Sequence, residues 1–153
     1  MSIRAKIRPV YELVADDFEV PVGLEHERFR LRMLTIDDVA KDFEAINARV
    51  DHRGVPQPAF VPTIELNLVD LGWHQKEFEL RRSFAYTVVA PDESEVLGCV
   101  YLNPSETHDA RVKLWVRGSA FDDGLDPVLE EAVREWIATR WPVARVTFAE
   151  RDR

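Results

Sequence analysis

Three strand-like runs follow one another over residues 84–90, 95–103 and 110–117, and they fix the kind of fold this chain can adopt. The tetrapeptide Pro91-Asp92-Glu93-Ser94 joins the first two. It is short and rich in turn formers, so the strands it connects should pair as an antiparallel hairpin. In the third run Ala110, Val112, Leu114 and Val116 alternate with Arg111, Lys113, Trp115 and Arg117. That period of two marks a strand with two unlike faces. A sheet built from such strands needs helices or a second sheet to cover its apolar faces.

The flanking sequence supplies helices. Residues 29–34 alternate Phe, Leu and Met against Arg, as in a strand. Thr35 and Asp38 follow as a helix cap, and Val39, Phe43, Ile46 and Val50 recur at helical spacing, predicting a helix over about 35–49. Pro56, Pro58 and Pro62 then impose a loop. A second helix is expected over about 64–83, with Leu66, Val69, Trp73 and Leu80 on its apolar face. Asp126-Pro127 should open a third, carrying Leu129, Ala132, Val133, Trp136 and Ile137 to about residue 140. Trp141-Pro142 stops it, and 145–148 reads as a last strand. The expected class is α+β. A mostly antiparallel mixed sheet is flanked by three helices in the order β-α-α-β-β-β-α-β, the final β-α-β step parallel. Residues 1–24, broken by Pro9 and Pro21, are expected as an extended N-terminal arm before a single domain over 25–153.

Composition narrows the function classes. The 153 residues carry 20 basic and 28 acidic side chains, a net charge of −8, without a basic cluster. Nucleic-acid binding is therefore not expected. No run approaches the roughly 20 apolar residues of a membrane helix, so no membrane association is expected. The N-terminus lacks the apolar stretch of a secretory signal, and a cytoplasmic location follows. Cys99, alone and in an apolar run, reads as a core residue.

On the second helix Asn67, Asp70, His74, Glu77 and Arg81 form one polar stripe. Asp70 and His74 stand four apart, so the carboxylate can orient the imidazole as a general base. The same stripe also reads as a solvated face opposite Leu66, Val69 and Trp73. Asp70, His74 and Glu77 lack a further convincing metal ligand, and no metal is expected. His108-Asp109 lies among Ser105, Glu106 and Thr107 in a turn, with no Gly-x-Ser-x-Gly element to support a hydrolase.

The element order resembles the first two-thirds of the GNAT superfamily of acyl-CoA-dependent N-acetyltransferases. Residues 29–38 resemble that family's opening strand and capped helix, and Val96-Leu97-Gly98-Cys99-Val100 its third strand. The resemblance covers about 27–149 and implies a fold in which the fourth and fifth strands splay apart. Acetyl-CoA would then lay its pantetheine along the fourth strand and its pyrophosphate on the start of the following helix. Here that assigns cofactor contact to Leu114, Trp115, Val116 and Arg117 of the strand and to Gly118, Ser119 and Gly124 of the loop over 117–125. Asp70 and His74 would be the catalytic pair, acting on a small-molecule or protein amine. The loop departs from the family's glycine pattern, Asp122 and Asp123 add negative charge, and the chain ends at its fifth strand. Those departures favour the alternative, a non-catalytic binding or assembly module. A homodimer covering the exposed edge is a further possibility.

Overall fold

A computed structural model of the chain describes residues 12–59 and 61–152. In chain order the strands are β1 (Gly23–Glu25), β2 (Arg30–Met33), β3 (Arg49–Val50), β4 (Phe84–Val89), β5 (Val96–Asn103), β6 (Ala110–Arg117) and β7 (Val146–Phe148). The helices are α1 (Val39–Ile46), α2 (Ile64–Glu79), α3 (Gly118–Asp122) and α4 (Leu125–Arg140). One sheet runs β1-β2-β4-β5-β6, and both β3 and β7 pair with the far edge of β6. Only β6 and β7 are parallel; the other pairs are antiparallel. The expected class and hairpin are therefore present. The fourth helix, α3, and the two short strands β1 and β3 are additions to the expected order. Residues 1–11 of the expected N-terminal arm lie outside the described residues.

The first helix begins one turn late. The Thr35 hydroxyl accepts from the Asp37 amide at 3.3 Å, and the Asp38 carboxylate accepts from the Thr35 amide at 3.0 Å. This reciprocal cap closes a 3₁₀ turn over Ile36–Asp38 before α1. Arg32 clamps the same carboxylate at 2.8 Å.

Alternation along the strands builds two apolar layers. Val112, Leu114 and Val116 face α4, where Leu129, Val133, Trp136 and Ile137 are buried. Trp115, Cys99 and Ala85 face the other way, against Ala45, Ile46 and Leu71 of α1 and α2. Each fully buried side chain of this size contributes about 1.5–3 kcal/mol. Gly124, at φ 79, links α3 to α4 in the left-handed region that glycine tolerates. It takes the capping position expected for Asp126, whose carboxylate turns instead to Arg151.

The orientation of α2 reverses the expectation. Leu66, Val69, Trp73 and Leu80 are 50%, 70%, 56% and 55% exposed, whereas Asn67 and Leu71 are buried. Asn67, Leu71, His74 and Phe78, spaced as one helical face, turn toward the sheet. The reason is polar: the Asn67 side chain donates to the buried Asp42 carboxylate at 3.0 Å, a partner Asp42 needs inside the protein. Among the described residues no helix is long and apolar enough to cross a membrane.

Candidate functional site

The outer edge of β6 is shared between two partners that leave a gap between them. β7 pairs with its first half, Ala110–Val112 against Val146–Phe148. The Ala149 amide still donates to the Val112 carbonyl at 2.8 Å, and then Glu150, at φ 68, turns the chain away. β3 pairs with the other end, Val50 with Val116 and Arg49 with Arg117, and the Gly118 amide donates to the Ala48 carbonyl at 2.9 Å. Backbone groups alternate sides along a strand, so Val112, Val116 and Gly118 place Leu114 in the same outward set. Among the described residues no strand pairs with Leu114 on that edge. Its N–H and C=O face the gap.

A cavity of about 420 Å³ opens there. Asp70, Trp73 and His74 of α2, Tyr101 of β5, Lys113–Trp115 of β6 and the turn at Ala149–Arg151 border it, together with Asp51, His52 and Gln57. His74 Nε2 lies 3.6 Å from Asp70 Oδ2, and both side chains keep about a quarter of their surface exposed, 23% and 27%. The imidazole packs on Tyr101 at 5.1 Å between ring centres, and the Tyr101 hydroxyl accepts from Trp115 Nε1 at 3.1 Å. Behind this pair lies Asp42. Burial pushes its carboxyl up to about 6, while the hydrogen bond from Asn67 and the charge of His74 pull the other way. Burial also pushes the Cys99 thiol and the Tyr101 phenol up, so both are neutral near pH 7.

The structure brings four of the expected residues, Asp70, His74, Leu114 and Trp115, to one cavity. The others lie beyond β3. Val116 turns its outward backbone to Val50. The Arg117 guanidinium is held by Glu44 at 3.0 Å, Glu95 at 3.6 Å and the Val96 carbonyl at 3.3 Å. The expected loop over 117–125 is mostly the helix α3, with Gly118 at its start and Ser119 exposed; around Gly124 lies open space. Glu77 turns from Asp70 and His74 to Arg82 at 2.7 Å. Arg81 lies past the end of α2 and donates to the Ala15 and Phe18 carbonyls. Asp109 accepts the Ala144 and Arg145 amides, a turn role as expected. Sequence reasoning passed over Asp42 and Tyr101. Tyr101 stands opposite Lys113 in the β5–β6 pair.

A mixed sheet whose strand β6 keeps an open edge at Leu114 beside a cavity, past the end of β7, with helices on both faces, matches the fold of the GNAT acetyltransferases. No family model and no curated protein matches the sequence. Solved structures do match in fold. A putative ribosomal-protein-serine acetyltransferase from Vibrio cholerae superposes with a TM-score of 0.68 at 15% identity, covering 90% of this chain and 78% of that one. The Microcin C7 self immunity acetyltransferase MccE, solved with acetyl-CoA and AMP, gives 0.66 at 12% identity over 84% of this chain and 73% of its own. RimL, a ribosomal L7/L12 alpha-N-protein acetyltransferase solved with coenzyme A, gives 0.58 at 17% identity over 84% and 72%.

Proposed function

We propose that the chain is an N-acetyltransferase that moves an acetyl group from acetyl-CoA to an amine of a small molecule or a protein. The observation that carries this reading is the unpaired edge at Leu114, open to a cavity that also holds Asp70 and His74. Similar folds in proteins named as ribosomal-protein and spermidine acetyltransferases support the amine as acceptor.

Each residue has a physical task in it. Bound acetyl-CoA would supply the acetyl group as a thioester. The Leu114 N–H, fixed by the sheet, would donate to the thioester oxygen, where negative charge grows during attack. His74 accepts the proton that the acceptor ammonium must lose before its nitrogen can attack, and Asp70 orients the imidazole and steadies its positive form. Tyr101 and Trp115 wall the cavity and hold the ring in place. Orientation of the two reactants supplies the rest. The test is thiol release from acetyl-CoA with a polyamine and with peptides bearing free N-terminal amines. Saturable turnover of at least one is expected. No release with any, joined to no binding of acetyl-CoA, would overturn the reading.

A second reading, a non-catalytic binding module, is favoured by one observation: the chain's own Ala48–Val50 occupies the edge at Val116–Gly118. Melting with millimolar acetyl-CoA separates the two. A ligand at 100 times its Kd adds about 2.7 kcal/mol, several degrees here, and a module gives no shift.

A further inference from the structure

We propose that residues 48–57 are a strap lying across the outer edge of β6 next to Leu114, and that an extended acyl-pantetheine pairs along this edge only when the strap lifts. The identity of the ligand rests on the acetyltransferase reading; the strap does not. Two cavities flank the segment, one of about 420 Å³ and one of about 530 Å³, and His52 and Arg151 border both. The first of them borders β6 at Lys113–Trp115, beside the stretch that the strap covers.

The strap is tied mostly to itself. The Asp51 carboxylate accepts the Arg53 and Val55 amides at 2.8 and 2.9 Å, and the Asp51 amide donates to the Val55 carbonyl at 2.9 Å. Gln57 returns to the Arg49 carbonyl at 3.1 Å. Its hold on the rest of the fold is a two-residue ladder, the Gly118–Ala48 bond, the contact of Gly54 with the Phe121 ring and the Val50 side chain, buried in the core at 7% exposure. The segment can thus move as a unit without breaking its internal bonds. Lifting it would expose the outward backbone of Val116 and Gly118 in line with Leu114. Four residues of strand span about 13 Å, enough for a chain with two amides to pair as an added strand.

A disulfide can lock the strap. Val50 and Val116 are register partners, and a hydrogen-bonded antiparallel pair has its Cα atoms about 5.5 Å apart, within disulfide range. The native Cys99 is buried and does not compete. In oxidised Val50→Cys/Val116→Cys, binding of acetyl-CoA should fall at least about 100-fold and return on reduction. Gly54→Val should tighten binding several-fold, because Gly54 has φ +86 and a Cβ there would meet Phe121 at 2.6 Å, levering the strap off. Without ligand, the Val50 and Gly118 amides should exchange hydrogen much faster than those of β5. Unchanged binding by the oxidised form, or strap amides as protected as β5, overturns the strap and leaves the acetyltransferase reading standing. Fast strap exchange with no binding by Gly54→Val keeps the strap and removes acetyl-CoA as its ligand.

Discussion

Arg151 meets Asp126 through two parallel hydrogen bonds of 2.8 Å, and both side chains are nearly sealed from water, at 6% and 5% exposure. Glu130 completes the cluster at 2.8 Å. The pair ties the turn after β7 to the start of α4, and at this turn the chain stops pairing with β6. Removing one partner of a buried ion pair strands the other, at a cost of about 3–5 kcal/mol. Arg151→Ala should lower the unfolding free energy by an amount in that range, read as a lower urea midpoint with the slope unchanged. The double variant Arg151→Met/Asp126→Leu should recover most of the loss. A single variant as stable as the parent would show that the cluster does not hold the turn.

Asp42 makes stability depend on pH in a known direction. Its folded value of about 6 lies above the ordinary carboxylate range, so the folded state holds the proton more tightly than the unfolded one. The contribution is full below about pH 4 and is lost as pH rises through 6. A shift of about two units corresponds to roughly 2–3 kcal/mol. Asp42→Asn keeps an acceptor for Asn67 and removes the titration. Its Tm should exceed the parent's by about 4–8 °C at pH 7.5 and match it at pH 4. Equal gains at both values would contradict the burial account.

The two faces of α2 should answer substitution in opposite ways. Val69→Glu, on the face open to water, should change stability by no more than about 0.5 kcal/mol. Leu71→Ala, at 1% exposure, should cost about 2–5 kcal/mol. Denaturant curves of both variants check the pair, and a large loss from Val69→Glu would mean that face is covered.

Within the proposed chemistry His74→Ala should lower kcat/KM by about 10²–10⁴-fold, with Tm held within a few degrees. Asp70→Asn should cost less, since it orients rather than transfers the proton. An unchanged kcat/KM in His74→Ala would assign the base elsewhere.

What the sequence made legible follows from how local each signal is. Turn residues and strict alternation set the β4–β5 hairpin and the two faces of β6 within a few residues, and these stand as expected. The face of α2 did not follow, because its inward stripe mixes Asn67 and His74 with Leu71 and Phe78. Periodicity alone then favours the more apolar Leu66, Val69 and Trp73. Only the buried Asp42 on another helix decides between them, and that is a tertiary contact. The cap of α4 failed for a similar reason, since Asp126 had a partner 25 residues away in Arg151. Asp70, His74, Leu114 and Trp115, expected from spacing and resemblance, do border one cavity. β3 was not legible, because two residues carry no period and their pairing is set by the loop that follows.

The central claim is that the open backbone of Leu114 receives the donor. Amide hydrogen exchange, resolved to single residues and measured with and without saturating acetyl-CoA, tests it most directly. Protection of the Leu114 amide by at least about tenfold, with the β5 amides unchanged, is the predicted result. Binding of acetyl-CoA that leaves Leu114 as exposed as before would contradict the claim.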